Sequence, residues 1–155
     1  MTEPRWRAVA FADPGLVTIG RPGGLTVSPA GRLETVRDDD AVRQAILLLL
    51  TTQPGERVMR PTYGSLLHRL VFAPNDATTA GLAIHYVRDA LARWEPRVEV
   101  LAVDAEADPD EPERLVVELV YRVRASRAAE TLRVPVELSP DLSGEVSRRD
   151  QVDDR

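Results

Sequence analysis

An α+β fold, with two main helices and a shorter one packed on an antiparallel β-meander behind an N-terminal arm, follows from three features of the sequence. Residues 115–123 and 131–138 alternate apolar and polar side chains, the period-two pattern of strands with one buried face. Ala80, Ile84, Val87, Leu91 and Trp94 recur at spacings of four, three, four and three, which is the stripe of an amphipathic helix. Turn signals rich in glycine, proline and aspartate separate these stretches.

The elements divide the chain into an arm or hairpin at residues 1–39, a domain at 40–138 and a polar, disordered tail at 139–155. In the arm, Asp13-Pro14-Gly15, Arg21-Pro22-Gly23-Gly24 and Ser28-Pro29-Ala30-Gly31 separate short strand candidates at 25–27 and 33–36. Asp38-Asp39-Asp40 offers an N-cap and negative charge to a helix that continues through the apolar run 45–50, which has no polar face and so belongs inside. Pro54-Gly55 turns the chain, residues 57–60 read as short and extended, and Pro61 keeps Arg60 out of helical geometry. A short amphipathic piece at 65–72 stops at Ala73-Pro74-Asn75-Asp76, and Asp76 caps the striped helix, which closes at Glu95 because Pro96 follows. Strands are expected at 98–103, 115–123 and 131–138; Pro135, lacking a donor, places the last one at a sheet edge or on a bulge.

Composition removes several functions. A chain of 155 residues is long enough for one core without staples, and the absence of cysteine excludes disulfides, zinc thiolates and cysteine nucleophiles. Net charge −5 argues against general nucleic-acid binding, and no segment matches a signal peptide or a membrane span. All 20 basic residues are arginines, as a GC-rich genome or interface-directed cations would produce.

Candidate chemistry fails on spacing. In the acidic run Asp104, Glu106, Asp108, Asp110, Glu111 and Glu113, the sixth position is Pro109 and the twelfth Leu115, where a calcium loop needs glycine and glutamate. A solvated hairpin turn fits instead. His68 and His85 form no paired zinc motif, and Ser65 lacks the second glycine of a nucleophile elbow, so it reads as a helix-capping residue. Glu56, Glu95 and Asp104 allow a glycosidase pair in principle, but Arg57, Arg60 and Arg97 beside the glutamates favour their ionised form, and 5% aromatic content leaves few sugar platforms. No catalytic residue, metal site or cofactor is assigned.

Taken together, Pro54-Gly55-Glu56-Arg57-Val58-Met59-Arg60-Pro61, Tyr63-Gly64-Ser65, Leu70-Val71-Phe72, Pro74-Asn75-Asp76 and Trp94-Glu95-Pro96-Arg97-Val98 resemble one family. It is the baseplate wedge and sheath-initiator family of contractile-tailed phages, type VI secretion systems and extracellular contractile injection systems. Motif order and spacing are specific over 40–103 and looser to 138. Ala73 departs from relatives, which often carry an acidic residue there.

The resemblance implies a non-enzymatic baseplate subunit that assembles in the cytoplasm into a phage tail-like particle, in multiple copies around a hexagonal baseplate. Its implied partners are baseplate wedge proteins, the sheath protein and the tube or spike hub, with no nucleic acid or membrane. Glu95, Pro96 and Arg97 are the implied wedge contact, and the strand carrying Leu132, Arg133, Val134, Pro135 and Val136 the implied sheath contact. A lysozyme label attaches to some phage relatives and finds no separate support in these residues. A stand-alone adaptor on the same fold is the alternative function.

Physically, Glu95 and Arg97 flank a proline just past a rigid helix, an arrangement that offers an anion and a cation together to a partner. The alternative is an internal ion pair of Glu95 with Arg57 or Arg60. Pro54, Gly55, Glu56, Arg57, Arg60 and Pro61 read as a loop that braces the fold.

Overall fold

The computed structural model describes residues 5–11 and 25–139. The turn signals at 13–15 and 21–24, and the tail from residue 140 onward, lie outside the described residues. The arm's first strand, β1 (Arg7–Val9), pairs antiparallel with β2 (Thr35–Arg37). Bridges Phe11 to Leu25 and Val27 to Leu33 extend this hairpin, so the two strand candidates in the arm form isolated bridges and the short β2. β1 had no signal of its own: three residues beside Trp6 are too few to show a period.

The helix α1 (Asp38–Thr51) buries Val42, Ile46, Leu47, Leu49 and Leu50, as its all-round apolar run requires. The expected aspartate N-cap is corrected. Arg37 occupies the cap position with no side-chain cap bond, and the three aspartates form the first helical turn, where they still complement the helix dipole. Asp38 has another partner: its Oδ1 accepts from the backbone N–H groups of Arg5 at 2.7 Å and Trp6 at 3.4 Å. Gln44, the one polar residue buried in α1, binds the arm a second time. Its Nε2 donates to the Val9 carbonyl at 2.8 Å and its Oε1 accepts from Phe11 N–H at 3.0 Å.

A 3-10 turn, Leu67–Leu70, leads to α2 (Ala77–Trp94), whose Asp76 cap accepts from Thr79 N–H at 2.8 Å. The buried line of α2 is Thr79, Ala83, Val87, Ala90 and Leu91, while Ala80, Ile84 and Trp94 from the sequence stripe are only partly buried. Alanines 83 and 90 are small enough to let the helix axis approach the sheet, which rotates the face toward them.

The sheet is β3 (Val98–Ala107), β4 (Arg114–Val123) and β5 (Ala129–Glu137) in the order β3-β4-β5, antiparallel throughout. Its inner face carries Leu115, Val117, Leu119 and Tyr121 from β4 and Leu132, Val134 and Val136 from β5, all buried. β3 continues past the expected end at 103 to Ala107. A bulge between Val100 and Ala102 breaks the alternation there and leaves Leu101 exposed, so no regular period marked its full length. Pro135 lies opposite Val116 on the edge strand, as a residue without a donor requires.

Candidate functional site

The chain from Gln53 to Thr62 is exposed throughout and leaves the fold between α1 and the 3-10 turn. Its neck is closed at one point: Ser65 N–H donates to the Thr52 carbonyl at 2.9 Å, and Ser65 Oγ donates to the Leu50 carbonyl at 2.8 Å. Gly64 makes this approach possible. It adopts φ 131, and a Cβ there would collide with the Thr52 carbonyl oxygen and lie 3.0 Å from Pro54 N. Buried Ser65 thus ties the end of α1 to the start of the 3-10 turn, where it also accepts from Leu67 N–H at 3.4 Å.

The loop itself corrects one expectation. Residues 57–60 form a turn closed by Arg60 N–H to the Arg57 carbonyl at 3.2 Å, with Met59 at φ 66, rather than an extended piece. The proline at 61 restricts only Arg60, which leaves the preceding residues free to turn. Pro54 and Gly55 turn the chain as expected, with Gly55 at φ 97. Glu56 accepts from Gln53 N–H at 2.8 Å and so fastens its own loop. The Arg57 guanidinium stacks 4.5 Å from the Tyr63 ring centre, and Tyr63 meets Trp94 edge-on at 5.4 Å. Burial pushes the Tyr63 hydroxyl above its ordinary pKa, against the lowering effect of Arg57. Arg60 and Pro61 are exposed, and Val58 and Met59, at the tip, are more than nine-tenths exposed (91% and 93%).

Glu95 and Arg97 pair with each other. Arg97 Nε and Nη2 donate to the two Glu95 carboxylate oxygens at 2.5 and 2.6 Å, a forked geometry, and neither Arg57 nor Arg60 takes part. The Glu95 side chain is 5% exposed and that of Arg97 30%, so the fork is anchored inside and shows only its cationic edge. The carboxylate bond raises the Arg97 pKa above its ordinary value. Three hydrogen bonds to main-chain carbonyls hold the segment: Glu95 N–H caps α2 on the Leu91 carbonyl, Arg124 N–H donates to the Arg97 carbonyl at 2.9 Å, and the Arg124 side chain donates through Nε to the Pro96 carbonyl at 3.2 Å.

The arm closes over the other side of this fork. The Trp6 ring lies between Arg5 at 5.4 Å and Arg97 at 5.5 Å, both cation–π distances. Trp6, Arg5, Arg124 and Arg127 were missed from the sequence. Arginine spacing in the β4–β5 turn and a lone Arg-Trp-Arg near the N-terminus carry no period, and only the pairing of the arm with α1 brings them beside Glu95-Pro96-Arg97.

The second candidate surface is β5. Leu132, Val134 and Val136 are in the core, whereas Arg133 is exposed and donates to Glu118 at 2.8 Å. What β5 can offer outward is therefore its backbone edge beyond Thr131, whose carbonyl accepts from Arg43 at 3.5 Å, together with Arg133 and Pro135. The acidic run divides as well: Asp104 and Glu106 lie in β3, and Asp108 to Glu113 form the β3–β4 turn, braced by Arg114 to Glu111 at 2.7 Å and to Asp108 at 3.7 Å. Among the described residues no group of His, Cys, Asp and Glu could hold a metal ion, and no helix is long and apolar enough to cross a membrane.

Comparison with curated proteins returns no match. Among solved structures, a Geobacter sulfurreducens protein described as a tail lysozyme is 35% identical, with TM-score 0.60, over 74% of this chain and 96% of its own. A chain of the anti-feeding prophage baseplate is 23% identical, with TM-score 0.57, over 83% of this chain and 85% of its own. A chain of the type VI secretion system baseplate complex is 18% identical, with TM-score 0.50, over 63% of this chain and 91% of its own. These two share the fold. The model of the baseplate wedge protein gp25 family matches residues 36–128, from the end of the arm through both helices to the β4–β5 turn, and this chain belongs to that family.

Proposed function

We propose that this chain is a structural subunit of the baseplate of a contractile injection particle, where it binds wedge subunits through Glu95, Pro96 and Arg97 and starts the sheath from β5. The observation that carries the reading is the forked Glu95–Arg97 pair, held at the end of α2 by backbone bonds on both sides and open to solvent at its cationic edge. A partner carboxylate or carbonyl meets a guanidinium already oriented, so little side-chain entropy is lost on docking. The open edge of β5 supports the sheath contact, because a partner strand can add there by backbone hydrogen bonds while Pro135 and Arg133 limit unselective pairing.

In this reading the arm at 1–39, the domain at 40–138 and the tail at 139–155 are parts of one subunit present in several copies, assembled in the cytoplasm beside wedge, sheath and hub proteins. A chain of the anti-feeding prophage baseplate shares this fold, which supports a place in such an assembly. The role is non-enzymatic. Both Glu95 oxygens are occupied by Arg97 and Glu56 is turned onto its own loop, which weighs against the paired carboxylates that hydrolysis of a glycan requires.

The test is Glu95→Ala with Arg97→Ala. Removing both partners leaves no buried charge unpaired, so the double variant remains folded by circular dichroism. It abolishes sheathed particles in a host that carries it as the sole copy; normal particles refute the contact.

A further inference from the structure

Beside the Glu95–Arg97 fork lies a depression of about 440 Å³ lined by Arg5, Trp6, Arg97, Arg124, Ala125 and Arg127. Four arginines line it and no acidic residue does, in a chain whose net charge is −5. Arg97 pairs with Glu95 and adds only its outer edge to the depression. Among the described residues Arg5, Arg124 and Arg127 enter no ion pair, which they share with other exposed arginines such as Arg60 and Arg88; what sets them apart is that they line one depression together.

These cations are positioned by backbone. Arg127 adopts φ 58 in the β4–β5 turn and its N–H donates to the Val123 carbonyl at 2.8 Å. Arg124 is tied to the Pro96-Arg97 segment by main chain and side chain, and Arg5 is set by its N–H bond to Asp38. Trp6 supplies a partly buried aromatic wall between Arg5 and Arg97. Guanidinium groups around an aromatic ring match carboxylates carried on a chain with apolar stems. A long polyanion fits less well, because beyond this patch it meets the acidic remainder of the surface.

We propose that this depression docks an acidic segment of a neighbouring baseplate subunit, read by Arg5, Arg124 and Arg127 and packed on Trp6. The proposal rests on the baseplate reading above and adds the partner's chemistry. It also assigns a function to the arm, since Arg5 and Trp6 precede the 36–128 span that matches the family.

The purified full chain is titrated with fluorescein-labelled hexaglutamate, with hexalysine and a thymidine oligonucleotide of matched charge as comparators. Hexaglutamate binds, more weakly as salt rises. Arg124→Glu with Arg127→Glu weakens it by about tenfold or more at unchanged circular dichroism, and Arg5→Glu, in the arm, weakens it independently. Hexaglutamate binding no better than hexalysine, indifference to all three substitutions, or tighter binding of the oligonucleotide overturns the proposal. Particle assembly separates the two readings. Wild type that binds hexaglutamate yet never enters particles defeats the baseplate reading, and with it the baseplate partner, while leaving the preference for an acidic ligand; normal particles from the Arg124→Glu, Arg127→Glu variant defeat the acidic-partner assignment alone.

Discussion

Gly64 is the residue on which the exposed loop depends. At φ 131, with the Thr52 carbonyl against the space a Cβ would fill, Gly64→Ala combines backbone strain with a collision that only main-chain movement relieves. It is expected to cost about 3 kcal/mol or more, read as a lower urea midpoint at unchanged slope. Tyr121 makes a different kind of prediction. It is fully buried and donates to Glu130 at 2.7 Å, and burial followed by that bond raises its pKa well above the ordinary tyrosine value. A folded-state pKa above the unfolded one means that the folded chain keeps its proton longer. The contribution is complete below about pH 10 and declines as pH rises from there. Thermal melts therefore show stability falling above about pH 10, with a shallower fall in Tyr121→Phe. The Glu95-Pro96-Arg97 triplet stands out in the sequence as a candidate contact. Its geometry does not: the sequence sets Glu95 against a partner or against Arg57 or Arg60, whereas the fold pairs it with Arg97 and stacks Arg57 on Tyr63.

Among elements, α2 is specified most completely by local signals, with a side-chain cap at Asp76 and a proline stop. Asp76→Ala leaves the Thr79 N–H without its acceptor and should lower stability by about 1 kcal/mol, measured by chemical denaturation. The strands β4 and β5 were equally legible because each buries one face and keeps strict alternation. Elements held by distant partners were not. β1 and the start of α1 depend on Asp38 and Gln44 binding the arm's backbone, long-range bonds that no window of sequence displays. The same holds for β5 as a contact surface. Alternation marks Leu132, Val134 and Val136 equally as core or as interface, and the register with β4 puts them in the core, so any sheath contact falls to the edge and Arg133.

At the scale of the whole molecule, a compact sheet-and-helix body gathers three outward features at its margins: the loop carrying Arg57 and Arg60, the arginine fork beside Trp6, and the free edge of β5. None of these surrounds a cleft with an uncommitted carboxylate, and each is of a kind that other chains dock against. The family to which the chain belongs gives that arrangement its setting. The most direct measurement of the central claim is negative-stain imaging of material purified through a tagged copy of this chain expressed in its host, with gold label on the tag. The account predicts sheathed, tail-like particles labelled at the baseplate end; recovery of the chain alone, or of particles that carry no label, would contradict it.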